Sequence, residues 1–162
     1  MAERKDKDVS TVLDLSGFVT QDNAESGVWF DFELDGKPTG AEIKIRGSDS
    51  EKVSIYGKRS EKKMTKMIGQ ALGINGKKTN DDKDDFNENE AIEEIKDKIE
   101  GAVVRIAGFR KKGGGSVVIN GVEIKQDEDS YRYLCQKIPA TIDFVTKKSN
   151  ERTNFLQSRS VA

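Results

Sequence analysis

The spacing of apolar and polar residues changes period several times along the chain, and each change marks an element. From Val28 to Arg46 the period is two. Val28, Phe30, Phe32 and Leu34 alternate with Trp29, Asp31 and Glu33, and Ala41, Ile43 and Ile45 alternate with Glu42, Lys44 and Arg46. Asp35-Gly36-Lys37-Pro38-Thr39-Gly40 between them has turn chemistry, so the stretch reads as a β-hairpin with one apolar face. Thr11 to Val19 reads as one short strand ahead of it.

After Gly47 the period becomes helical. Ser48 and Glu51 have the spacing of a capping box. Val53, Tyr56, Met64, Met67, Ile68, Ala71 and Leu72 then fall mostly three or four apart, which predicts a helix to about Leu72. Gly57 inside it costs about 1 kcal/mol relative to Ala. Gly73 to Asp85 is polar and rich in Gly and Asp, the composition of a loop. Ile92, Ile95, Ile99, Val103 and Ile106 predict a second helix that Gly108 stops, and Lys111 to Gly115 reads as a flexible loop. Val117 to Ile124 carries a hairpin signal, because Asn120-Gly121 suits a type I′ turn. Asp127 is placed to cap a third helix bearing Tyr131, Leu134, Cys135 and Ile138. Pro139 either kinks that helix or opens a fourth, and Ile142, Val145, Thr153 and Leu156 carry a helical stripe to the end. The expected fold is α+β: an N-terminal β-hairpin, three or four helices, and a short second hairpin near 117–124. One domain is expected over 11–157, with a charged loop at 73–85 and flexible ends at 1–10 and 158–162.

Composition narrows the chemistry. The chain has 162 residues, 34% of them apolar and 35% charged, enough for a lean core beneath a heavily solvated surface. It contains no histidine, which removes the commonest general base and the commonest zinc ligand. The single cysteine, Cys135, excludes an internal disulfide and every Cys-cluster metal site. No apolar run approaches the roughly 20 residues of a membrane helix, and the charged N-terminus is not that of a signal peptide. With a free thiol as well, a cytoplasmic location is expected.

The net charge of −1 conceals strong blocks: residues 51–80 hold eight basic and two acidic side chains, and 81–100 hold three basic and ten acidic. Such neighbours are read as solvated faces or as pairing within one fold, with docking of charged partners as the sharper alternative.

Candidate chemistry is sparse. Gly73 to Thr79 resembles a phosphate-binding loop but fails its spacing at Ala71 and Lys78, and no strand precedes it. Asp81, Asp82, Asp84 and Asp85 lack the alternation and the glycine of a calcium loop and read as a solvated acidic linker. Gly108-Phe109-Arg110-Lys111-Lys112 mixes an aromatic with cations as RNA-binding tracts do, but it occurs once and reads as a solvated loop. Cys135 sits on an apolar stripe and reads as a buried structural thiol. No catalytic residue, metal site or cofactor is expected.

Three segments, in order, resemble the tail assembly chaperones of long-tailed (siphovirus-type) bacteriophages. The first is Phe32 to Gly40 with Ile43-Lys44-Ile45 and Gly47-Ser48-Asp49-Ser50, similar to that family's strand, Pro-Thr-Gly turn, strand and Gly-x-Asp-Ser helix start. The second is Ile106-Ala107-Gly108-Phe109 followed by Ile119-Asn120-Gly121-Val122-Glu123, similar to the family's aliphatic helix ending at Gly-Trp and then a short hairpin, with Phe109 where the family more often has Trp. The third is Ile138-Pro139-Ala140 and then Arg152-Thr153-Asn154-Phe155-Leu156, which resembles the family's closing Arg-x-Asn-Phe-Leu. The likeness spans about residues 28–157, and the charged insert at 73–90 and the triple glycine depart from it.

The resemblance implies a non-enzymatic protein of the host cell cytoplasm. Such proteins bind the tape-measure protein, keep it soluble, recruit tail-tube subunits and leave before the virion is finished. A holdase needs exposed apolar side chains in charged surroundings. Met64, Met67 and Ile68 either supply that surface or fill the core, since Met serves both uses. Phe155 and Leu156 are further candidates, read first as core packing of the terminal helix. Self-association is a second mode of partnering. The rival readings are a structural tail or head–tail protein retained in the particle, and a small nucleic-acid-binding module using Lys58–Lys78 and Arg110–Lys112. The overall charge disfavours the latter.

Overall fold

The computed structural model of the chain describes residues 12–71 and 87–157. The expected flexible ends at 1–10 and 158–162, the loop at 73–85, the Gly73–Thr79 segment and the Asp81–Asp85 cluster lie outside these residues. The fold is α+β, as its periodicities predict.

A short helix α1 (Gln21–Ser26) leads into strands β1 (Val28–Leu34) and β2 (Lys37–Ile45). Helices α2 (Glu51–Ala71) and α3 (Glu88–Arg105) follow, then β3 (Ile106–Lys111) and a hairpin of β4 (Val118–Ile119) and β5 (Val122–Glu123). Helices α4 (Glu128–Lys137) and α5 (Ala140–Asn150) complete the order, with a 3₁₀ turn at Arg152–Phe155. β1, β2 and β3 form one antiparallel sheet in that order.

Several expectations are corrected. No strand forms among the described residues before β1. Val12 to Val19 instead contains a 3₁₀ turn at Ser16–Phe18, where the Asp14 carboxylate accepts from the Ser16 N–H and hydroxyl at 2.9 and 2.5 Å. Such local bonds compete with strand pairing. The β1–β2 turn is two residues long: Asp35 and Gly36 have φ of 54° and 77°, and Lys37 already pairs with Leu34. Positive φ at both central positions is the type I′ geometry that matches strand twist. Pro38, Thr39 and Gly40 therefore belong to β2, where the Thr39 hydroxyl donates to the Phe32 carbonyl at 2.8 Å beside an irregularity in the register. The cap of α2 is Ser50, whose Oγ accepts from the Val53 N–H at 3.1 Å, and not Ser48, whose own N–H donates to the Ser149 carbonyl. Ile106 to Phe109 ends no helix but forms β3. The final apolar stripe is broken, because α5 stops at Asn150 and Thr153 and Phe155 lie in the 3₁₀ turn.

Other expectations hold. Asn120 and Gly121, at φ of 51° and 81°, turn β4 into β5. Asp127 caps α4 by accepting from the Ser130 N–H at 2.8 Å. Pro139 separates α4 from α5 and so opens the fourth helix after the β1–β2 hairpin.

The core lies between one face of the sheet and α3, α4 and α5. Phe32, Ile43, Ile45, Ile99, Val103, Ile106, Phe109, Leu134, Cys135 and Val145 are buried together there. Phe32 meets Phe109 and Phe144 edge-to-face, with ring centroids 5.6 and 5.4 Å apart. On the opposite face Trp29 lies across Gly108, where an added Cβ would stand 3.0 Å from the indole, and Arg110 stacks 3.8 Å from its centroid. Arg110 also pairs with Glu42 and Lys112 with Asp31, at 2.8 and 3.2 Å. The aromatic–basic tract is therefore part of the sheet as far as Lys111, with Phe109 in the core and Arg110 and Lys112 paired.

Candidate functional site

Helices α2 and α3 form an antiparallel arm that leaves the core at its root. Val53 is the only α2 side chain fully buried among those described. The root is pinned at Asp97. The Tyr56 hydroxyl donates to its backbone carbonyl at 2.5 Å, and the Lys63 ammonium lies 3.2 Å from its carboxylate. Burial is the main reason that the Tyr56 phenol is raised above its ordinary pKa. Gly101 lets the helices approach, since a Cβ there would stand 3.3 Å from the Tyr56 ring. Arg105 lies against the same tyrosine, and burial lowers its pKa. Its Nη1 donates to the Gly101 carbonyl at 2.7 Å.

Next to this root, α2 and α3 line an open cavity of about 730 Å³. The α2 wall carries Ser60, Met64 and Ile68 at four-residue spacing, with Lys63 beside them. The α3 wall carries Asn89, Glu90, Glu93, Glu94 and Asp97. Lys63 reaches across to Glu93 at 3.8 Å as well as to Asp97. This is where the basic and acidic blocks of the sequence meet.

Met64 is 62% exposed and Ile68 52% exposed, so both face the cavity and not the core. Met67 is on the same helix, and its side chain is not among those described. Phe155 is elsewhere and only 1% exposed, with its ring 6.4 Å from that of Phe30. Leu156 follows it half-buried, and the Asn23 amide donates to the carbonyls of both residues at 3.3 and 2.9 Å. The structure thus brings Met64 and Ile68 into one groove and keeps the terminal pair apart from it.

Two apolar features were not foreseen as surface. On α3, Ile92, Ile95 and Ile99 follow one stripe, but exposure falls from 44% and 57% to 8% as the helix enters the core. The spacing was visible; its overhang beyond α4 and α5 was not. Val12, Leu13 and Phe18 also stand exposed on the segment before α1.

Cys135 is buried, and desolvation pushes its thiol up to about 12. Among the described residues no group of three or more Asp, Glu or Cys side chains gathers to hold a metal ion, and no helix is long and apolar enough to cross a membrane. No protein-family model, curated protein or solved structure matches the chain.

Proposed function

We propose that the chain is a non-enzymatic tail assembly chaperone of a long-tailed bacteriophage, acting in the host cytoplasm. In this reading it holds amphipathic helices of the tape-measure protein in the α2–α3 groove, helps to recruit tail-tube subunits and departs before the particle is complete. One observation supports it above the rest: Met64 and Ile68 stand exposed along an open, charge-rimmed groove on a helical arm that the core does not cover. A groove with soft apolar side chains accepts varied helices, and the surrounding charge keeps a loaded complex in solution. The resemblance of the three segments points to the same reading, although Ile106 to Phe109 lies in β3 and not at the helix end that the resemblance implies.

Co-expression with the neighbouring tape-measure protein tests it. The wild-type chain is expected to raise the soluble fraction of that protein, and the M64S/I68S variant to lose the effect while remaining folded by circular dichroism. A tape-measure protein no more soluble with the chain than without it would sink the proposal. So would finding the chain in stoichiometric amount in purified virions.

A further inference from the structure

The two walls of the groove do not match each other. On α2 the strip that faces inward is Ser60, Met64 and Ile68, and a second apolar strip opposite would complete an ordinary helix pair. At about 100° per residue, Ile92, Ile95 and Ile99 lie on nearly the opposite side of α3 from Glu90, Glu93 and Asp97. The apolar strip of α2 therefore looks across at carboxylates. Among the described lining residues, Glu90, Glu93, Glu94 and Asp97 stand against the one ammonium of Lys63, which already serves Glu93 and Asp97. Glu94 has an i,i+4 contact with Lys98 at 3.7 Å, with both side chains well exposed.

We infer that the groove selects an amphipathic helix whose apolar stripe carries lysine or arginine along one flank. This deepens the reading above and rests on it. The stripe would cover Met64 and Ile68, and the flank would face the surplus carboxylates of α3. A helix with an acidic flank would set like charges together, and a nucleic acid would bring phosphates against the same wall.

The test uses the full chain and three labelled peptides of roughly 15 residues, long enough for about four helical turns. They share one leucine stripe and differ only in flanks of lysine, glutamine or glutamate. By fluorescence anisotropy at low salt, the lysine peptide is expected to bind about tenfold tighter than the glutamine peptide, since several exposed pairs each add a small factor. The glutamate peptide is expected to bind more weakly still, and salt should narrow the differences. E90Q/E94Q, which alters exposed side chains, should bring the lysine peptide close to the glutamine one, and M64S/I68S should weaken all three.

Equal affinity for the three peptides, binding of none, or an unchanged preference in E90Q/E94Q overturns the inference. It also falls if the chain forms a dimer that M64S/I68S dissolves, because the occupant is then a second copy. Tape-measure solubilisation that persists while the peptides bind equally removes only the flank preference; loss of solubilisation removes the function itself.

Discussion

Gln126 shows how much one side chain can settle. Its Oε1 accepts from the Phe109 N–H at 2.9 Å and from the Tyr131 hydroxyl at 3.1 Å, and its Nε2 donates to the Phe109 carbonyl. The amide thus occupies the free edge of β3 as a further strand would, and it ties that edge to α4. Removing it leaves two backbone groups of a buried residue unpaired. Q126A is expected to lower stability by about 1–3 kcal/mol in urea unfolding, and an unchanged midpoint would refute the role. Cys135 makes a second prediction. Burial raises its pKa from 9.0 to about 12, so the protonated thiol is the form the fold favours. Its contribution is fully present below pH 9 and declines as pH rises towards 12. A thiol reagent at pH 8 is expected to react with Cys135 only after denaturant is added, and rapid labelling of the native chain would contradict the burial. Gln126 gave no signal in the sequence, since the backbone groups of Phe109 that it satisfies are 17 residues away. Cys135 was legible from its spacing to Tyr131 and Ile138.

Elements differed in legibility according to how local their causes are. β1 and β2 could be read from period two, and the β4–β5 turn from Asn120-Gly121, because neighbours in sequence decide both. β3 was hidden, since Ile106 continues the spacing of Ile99 and Val103 and so extends the helical pattern. What makes it a strand is pairing with β2, more than 60 residues back in the chain. The arm was half legible: the helices were foreseen, but not which apolar positions lie beyond the core. That division predicts opposite responses to substitution. M64S/I68S, on exposed side chains, is expected to change stability by no more than about 0.5 kcal/mol per site. I99A, on the same arm but buried at its root, is expected to cost about 2–5 kcal/mol. Thermal or urea unfolding of the two variants checks the contrast, and a large loss in M64S/I68S would mean that the groove closes in solution.

The whole molecule combines a core with an arm, and the two should differ in how easily they open. Core helices α4 and α5 bury Leu134, Cys135, Thr141 and Val145, and Arg132 joins α4 to α3 through Glu100 at 2.6 and 2.9 Å. Among the described residues α2 is held only near its start and middle, by Val53, Tyr56, a Lys52–Glu128 pair to α4 at 3.5 Å and the Lys63 ion pairs. Those ion pairs link side chains about half exposed, so they are screened by salt and contribute little. In proteins most helical stability comes from packing an apolar face against the rest of the fold, and α2 has little of it beyond its root. Amide hydrogen exchange is therefore expected to run fast in α2 from Gly57 onward and slow in β2, α5 and the root of α3, with salt speeding the arm more than the core. Protection of α2 equal to that of α5 in the free chain would contradict an open groove. An easily opened arm is also what a helix-holding surface needs. In the proposed function, local opening would let unlike helices enter, and the bound helix would supply the apolar contact that α3 does not give. Protection of α2 is accordingly expected to rise when the groove is filled, while exchange in the sheet stays as it was.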